Sequence, residues 1–146
     1  MEYETVSKGD FKVIGLTRRI SNDNAQKEIP DMWREFIIKN YMENIPNKRS
    51  SNIMALYTDY EGDHTKPFLY SIGCEVTSTE EVPEGMNAIH VPGNKYALFT
   101  VTGGLPDSLI ETWKYIWSTK DFTRKFEADF EVVKGPEEVL IYVSLK

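Results

Sequence analysis

The chain has 146 residues, of which 40% are hydrophobic and 12% aromatic, enough for one globular domain with a core, which argues against a disordered chain. A net charge of -6 and an isoelectric point near 5.0 leave no basic footprint for a nucleic-acid backbone, so we expect no direct nucleic-acid binding. One cysteine excludes an intramolecular disulfide, and no apolar run reaches the roughly 18 residues of a membrane span. Because MEYETVSKGD lacks the apolar core of a signal peptide, we expect a cytoplasmic protein without membrane contact.

The first half predicts one strand, one helix and a β-hairpin. FKVIGLTRRI, from Phe11 to Ile20, alternates as a strand does. In EIPDMWREFIIKNYMENI, Pro30 suits a first helical turn and the apolar residues recur at helical spacing, which predicts a helix from about Ile29 to Glu43. NIMALYTDY and FLYSIGCEV then predict two strands joined by the turn residues of EGDHTKP.

The second half repeats this order. NAIHVPGNKYALFTVTGG holds two β-rich runs interrupted by Pro92 and Gly93. In LPDSLIETWKYIWSTKDF, Pro106 with Asp107 or Ser108 can begin a helix, and apolar residues follow at spacings of three and four. ADFEVV and EVLIYVSL form a last strand pair across KGPEE.

Strand, helix, strand, strand therefore occurs twice, over roughly residues 10–77 and 87–146, within a single domain of residues 1–146. We predict an α+β fold in which an antiparallel sheet carries the helices on one face. A ligand groove is expected on the opposite face, where the halves meet.

Catalytic and metal chemistry find little support in the sequence. Cys74 has no evident base near it, His64 lies in a predicted turn, and His90 has no metal-ligand spacing around it. The glycines also lack the pattern of a phosphate-binding loop, so we expect no metal and no cofactor.

Glu131 is a charge within an apolar strand. Alternation places it on one face with Asp129 and Val133, and Phe130 on the other. If the purely apolar faces lie under the helices, Glu131 and Tyr142 both face the groove. A carboxylate there would bind a cation, aided by cation–π attraction of about 0.5–2 kcal/mol per ring, and an empty groove would raise its pKa.

A structural role for Glu131 is the alternative. It would then form a salt bridge at the sheet edge with Lys134, Lys125 or Arg124, and its replacement by glutamine would leave ligand binding intact.

The whole chain resembles the gyrase-inhibitor-like, or AraC-type, effector-binding domains. The resemblance rests on IPDMWREF, LYTDYEGD with FLYSIGCEV, VPEGMNAIHVPGNKYALFTVTG, IETWKYIW, and FEADFEVV with VLIYVSL, in this order and spacing. It implies two strand-helix-strand-strand modules with pseudo-twofold symmetry around an aromatic pocket with an acid inside. Without a helix-turn-helix segment, the chain resembles the stand-alone members.

The resemblance also implies which residues bind the ligand. The family's pocket glutamate corresponds to Glu131, and its pocket aromatics correspond to a set drawn from the strands and helices: Tyr57, Tyr70, Phe99, Tyr142, Trp33 and Trp113. Val133 stands where relatives often have an aromatic residue, so one wall is expected to be open or differently shaped.

Three functions remain open at this point. The first is binding of a small molecule, hydrophobic and cationic, by Glu131 and the aromatic walls. The second is hydrolysis of cyclopropane-containing genotoxins, with Glu131 as the catalytic residue. The third is a protective interaction with a partner protein, gyrase or a regulator, for which TSTEEVPEGM is the only candidate surface. The oligomeric state is not predicted.

Overall fold

The computed structural model describes all residues from 1 to 146 as eight strands and three helices. In chain order the elements are β1 (Glu4–Lys8), β2 (Phe11–Ile20), α1 (Ala25–Ile38), α2 (Tyr41–Asn44), β3 (Ile53–Thr58), β4 (Phe68–Val76), β5 (Asn87–Val91), β6 (Asn94–Thr102), α3 (Asp107–Ser118), β7 (Ala128–Gly135) and β8 (Glu138–Ser144). The predicted α+β class is confirmed. None of the helices is long and apolar enough to cross a bilayer.

All eight strands form one antiparallel sheet with the order β1-β6-β8-β7-β3-β4-β2-β5. Its centre is symmetric: β3 and β7 pair with each other, β4 and β8 flank them, and β2 and β6 follow. Each half contributes a strand, a helix and a hairpin, as predicted, and the β3–β7 pair is the seam between the halves.

The outer strands are exchanged between the halves. β1 leads into β2 along the chain but pairs with β6, and β5 leads into β6 but pairs with β2. No strand was predicted over the residues of β1. The first repeat therefore begins earlier than residue 10, and each half holds the edge strand of the other.

The first helix differs from its predicted bounds at both ends. The carbonyl oxygen of Asn24 accepts the N–H groups of Lys27 and Glu28, so the helix begins at Ala25 and Pro30 lies beyond its first turn. Asn40 then adopts a left-handed conformation (φ 55°), which asparagine tolerates, and divides the predicted helix into α1 and α2. The second long helix begins at Asp107, one of the two predicted starts.

Both sheet faces are covered, by different means. α1 and α3 pack on one face, where Phe36 and Ile116 are buried. On the other face the sheet curves over its own core. The ring centroids of Phe11 in β2 and Phe130 in β7 therefore lie 5.1 Å apart, although β3 and β4 lie between these two strands in the sheet. Consecutive residues of β3, β4 and β7 are therefore buried on both faces, which removes the inside-outside contrast that alternation normally reports.

Gly15 and Gly73 pair directly across β2 and β4, where the two backbones approach each other closely. A Cβ atom on either glycine would collide with the backbone of the other strand. The absence of both side chains permits this close approach within the curved sheet.

Candidate functional site

A cavity of about 470 Å³ lies on the helix face of the sheet, between α1 and α3 and across the seam. Its wall is mostly apolar and aromatic. It is lined by Asn22, Ala25, Ile29, Trp33, Tyr57, Tyr60, His64, Phe68, Tyr70, Leu109, Ile110, Trp113, Trp117, Arg124, Glu131, Val133 and Val139. The two halves thus meet at a cavity, as predicted.

The cavity lies on the same face as the helices, so the predicted opposite face is wrong. Across the β7–β8 ladder Glu131 pairs with Ile141, and Phe130 pairs with Tyr142. The prediction required the apolar face of each strand, that of Phe130 in β7 and that of Ile141 in β8, to lie under the helices, whereas the register puts these two residues on opposite faces. Phe130 belongs instead to the core inside the sheet's curve.

Residues of α3 and β3 donate hydrogen bonds to one of the two carboxylate oxygens of Glu131. Its Oε2 accepts the indole N–H of Trp113 at 2.6 Å and the hydroxyl of Tyr57 at 3.4 Å. Oε1 has no donor within the protein, and only 7% of the residue is exposed. A nearly buried carboxylate therefore keeps one oxygen available to a ligand.

Burial raises the pKa of Glu131 above the ordinary glutamate value, and the hydrogen bonds from Trp113 and Tyr57 offset part of that rise. Burial, followed by the nearby Glu131 charge, raises the pKa of Tyr57 well above the ordinary tyrosine value. Tyr57 therefore remains a neutral phenol whose hydroxyl can donate a hydrogen bond to the carboxylate.

Glu131 forms no salt bridge, which contradicts the structural role considered from the sequence. Arg124 pairs with Asp129 at 2.7 Å, and Lys125 pairs with Glu127 at 3.5 Å. Lys134 is exposed and pairs with no carboxylate. The carboxylate in the cavity therefore has no protein cation of its own.

The wall opposite Glu131 is aromatic. Trp33 of α1 donates its indole N–H to the hydroxyl oxygen of Tyr70 at 2.9 Å. The ring of Tyr57 lies between the halves, with its centroid 5.2 Å from those of both Tyr70 and Trp113. Five of the seven residues that the sequence analysis proposed for ligand binding thus line one cavity: Glu131, Tyr57, Tyr70, Trp33 and Trp113.

Phe99 and Tyr142 lie outside this cavity, which corrects the prediction for both. Phe99 is buried under α3, where its ring centroid lies 5.3 Å from that of Tyr3. Tyr142 stacks on Phe130 at 4.4 Å, on the other face of the sheet. Family position alone had suggested Phe99, and the wrong choice of face had suggested Tyr142.

A buried polar network closes one end of the cavity. Asp129 accepts hydrogen bonds from Tyr60 (2.6 Å), from Arg124 (2.7 Å) and from the backbone and side chain of Ser144 (2.7 and 2.9 Å). Alternation had placed Asp129 beside Glu131, but no sequence pattern indicated its partners, because they lie on separate elements.

Trp117 and His64 lie at the mouth of the cavity, and the sequence analysis assigned neither to it. Their rings stack with centroids 6.1 Å apart and an angle of 11° between planes. Trp117 follows Trp113 by one helical turn, and that spacing could have indicated a shared face. No group of three or more His, Cys, Asp or Glu side chains is arranged to hold a metal ion.

A known family matches almost the whole chain. The family model described as Cass2, integron-associated effector binding protein, matches residues 4–145. The chain belongs to this effector-binding family. The match confirms the resemblance drawn from the sequence, and it makes the chain a relative of proteins that bind small-molecule effectors.

Individual relatives cover the effector-binding chain from end to end. YobU of Bacillus subtilis strain 168, provisionally named a transcriptional regulator protein, is 30% identical over 160 residues, covering 100% of this chain and 99% of YobU. The integron cassette protein VCH_CASS2 of Vibrio cholerae has a similar structure, with a TM-score of 0.81 and 24% identity over 99% of this chain and 95% of its own.

A further similar structure is SAV2435 bound to tetraphenylphosphonium, with a TM-score of 0.81 and 17% identity, covering 100% of this chain and 94% of that one. At these identities the two structural neighbours confirm the fold alone.

Proposed function

We propose that this protein binds hydrophobic cations in the cavity between α1 and α3, with Glu131 as the counter-charge. The observation that carries the proposal is the free Oε1 of a nearly buried carboxylate in an aromatic cavity whose arginine, Arg124, pairs with Asp129 instead. Burying an unpaired charge is unfavourable, and a bound cation removes that penalty.

The aromatic walls suit such a ligand. Tyr57, Tyr70 and Trp113 surround the carboxylate, and a cation over such a ring gains about 0.5–2 kcal/mol from each contact. The binding of tetraphenylphosphonium by the fold neighbour SAV2435 supports the same ligand class, since that ion is both cationic and aromatic.

Titration with tetraphenylphosphonium tests the proposal, with binding followed by calorimetry and by tryptophan fluorescence. We expect saturable binding to the wild type and at least a tenfold loss in Glu131→Gln, because about 1.4 kcal/mol corresponds to tenfold. Glu111→Gln is the matched control, since Glu111 is an exposed residue of α3 outside the cavity, and it should bind as the wild type does. Equal affinity in the wild type and Glu131→Gln would contradict the proposal.

Hydrolysis of cyclopropane-containing genotoxins is a second candidate, favoured by the raised pKa of Glu131, which is a property of general bases. In that reaction Oε1 would take a proton from water as the water oxygen bonds to a carbon of the strained ring. The ring C–C bond at that carbon would break, and its electron pair would take up a proton, so that water is added across the opened bond. Chromatography of a cyclopropane-bearing alkylator with catalytic amounts of protein tests it. Multiple turnovers that Glu131→Gln abolishes would establish hydrolysis, whereas loss of alkylator in a one-to-one ratio without product would contradict it.

A further inference from the structure

A second, polar cleft adjoins the cavity. It has a volume of about 690 Å³ and lies along the segment after α3, facing the β3–β4 connection. The cavity and the cleft share three lining residues, His64, Trp117 and Arg124. The stacked rings of His64 and Trp117 therefore lie at the boundary between the two, and Trp117 is 49% exposed.

The two parts differ in charge. Beyond the stacked rings the cleft is lined by Lys120, Lys125 and Lys146 together with Arg124, and by one acidic side chain, Asp63. Lys120 and Lys146 are exposed, and neither side chain pairs with a carboxylate. In a chain of net charge -6, this cleft is a local basic region next to a cavity that contains one free carboxylate.

Arg124 lies between the cavity and the cleft, and two of the three nitrogens of its guanidinium have no hydrogen-bond partner. Its Nη2 donates to Asp129 at 2.7 Å, while Nε and Nη1 are buried without a partner. The side chain is 8% exposed, and its guanidinium lies 4.3 Å from the ring centroid of Phe126. Buried donors without acceptors are rare in native proteins, and they indicate a missing partner.

The spacing suits one ligand that spans both parts. Asp129 and Glu131 lie two residues apart on the same face of β7, so their Cα atoms are about 7 Å apart. Arg124 is hydrogen-bonded to Asp129 and lines the same cavity as Glu131, so a ligand with a short alkyl chain between two charged groups suits this arrangement.

We infer that the site takes zwitterionic ligands: a hydrophobic cation beside Glu131, joined by a short chain to a carboxylate, sulfonate or phosphate that binds Arg124 and the lysines of the cleft. The inference rests on the proposed function and extends it to a second subsite. The anionic group supplies the acceptor that Nε and Nη1 lack, and the lysines add electrostatic attraction that depends on salt.

Two phosphonium probes separate this inference from the proposed function. Pentyltriphenylphosphonium and (4-carboxybutyl)triphenylphosphonium share the aromatic cation and a chain of five carbons, and only the second ends in a carboxylate. We expect calorimetry at low salt to show the carboxylate probe binding at least fivefold more tightly to the wild type, with most of this advantage lost at high salt.

Variants then locate the anionic subsite. Lys120→Gln combined with Lys146→Gln should reduce the advantage at least threefold without changing the affinity for the pentyl probe. Lys39→Gln combined with Lys114→Gln removes two exposed charges outside both depressions and should leave the advantage unchanged. Arg124→Lys keeps a positive charge beside Asp129 but removes the forked donors, and it should abolish most of the advantage in protein that melts cooperatively.

The outcomes are distinguishable. Equal or weaker binding of the carboxylate probe by the wild type overturns the inference and leaves the proposed function standing. An advantage that survives in both the lysine and the arginine variants also overturns it. Failure of both probes to bind overturns the proposed function and the inference together.

Discussion

The two halves of the sheet each place a helix tryptophan over a polar group in the cavity, and the two polar groups differ. In the first half Trp33 donates to the phenol oxygen of Tyr70 at 2.9 Å. In the second half Trp113 donates to the carboxylate of Glu131 at 2.6 Å. The scaffold is therefore repeated, while the charge is present in one half alone.

This difference assigns separate tasks to the halves. The Trp33–Tyr70 pair is neutral, because burial raises the pKa of Tyr70 far above the ordinary value, and it forms a wall whose properties do not change with pH. The Trp113–Glu131 pair carries a charge with one oxygen unpaired, so it gains most from a cation. We expect the second half to provide affinity and the first to provide shape.

The pH dependence of binding should show the largest contrast between the halves. Because burial raises the pKa of Glu131, this carboxylate becomes protonated at a higher pH than an ordinary glutamate does. Below that pKa the affinity for tetraphenylphosphonium should fall about tenfold for each pH unit. The phosphonium does not titrate, so the profile reports the protein. Calorimetry across the acidic range should give the same profile for Tyr70→Phe and a flat one for Glu131→Gln. A flat wild-type profile would contradict the assignment of affinity to Glu131.

The two tryptophans should differ in their effect on this profile. Trp113→Phe keeps an aromatic ring but removes a hydrogen bond to a charged group, which contributes about 1.5–3 kcal/mol, so the midpoint should rise by about one to two pH units. Trp33→Phe removes the equivalent donor from a neutral partner and should leave the midpoint in place. Equal shifts in both variants would show that the tryptophans act through packing rather than through their N–H groups.

The smallest contrast concerns the stability of the empty protein. Because the pKa of Glu131 is raised in the folded state, its contribution to stability is fully present below the unfolded-state pKa and is lost as the pH rises through the folded-state value. At neutral pH Glu131→Gln should therefore raise the free energy of unfolding by about 1 kcal/mol, the scale of a single buried polar change.

Tyr70→Phe should act in the opposite direction by a similar amount, since it leaves the indole N–H of Trp33 without its acceptor. Denaturant titration at two pH values measures both variants. If Glu131→Gln instead lowers the free energy of unfolding of the empty protein at neutral pH, the carboxylate stabilises the folded state.

Local patterns predicted most of the elements and drew attention to one residue that lines the cavity, Glu131. Alternation placed Glu131 with Asp129 and Val133, and the structure keeps all three on one face. Helical spacing located Trp33 and Trp113 on helix faces, and both lie over the cavity. These properties depend on neighbours a few residues away, which a single sequence displays.

Local patterns could not predict properties that depend on residues distant in the chain. The relative register of β7 and β8 decides whether Tyr142 shares a face with Glu131, and a one-residue shift reverses the answer. Hydrophobicity could not identify the helix face, since the sheet's curve buries Phe130 as deeply as the helices bury Phe99. The strand pairing of β1 was equally invisible, because its partner β6 lies some ninety residues further along the chain.

The exchange of β1 and β5 between the halves has a consequence for folding. Glu4 pairs with Leu98 and Phe11 pairs with Val91, so both edges of the sheet close through contacts that are very distant in sequence. Such contacts require the closure of long loops, and they slow folding compared with local pairing.

The exchange also makes each half incomplete without the other. A chain cut within residues 77–86, between β4 and β5, would yield two fragments that each hold the other's outer strand. We expect them to behave as a complementing pair, unstructured apart and folded when mixed. Tetraphenylphosphonium binding would then report their reassembly, since the cavity exists only where the two fragments meet.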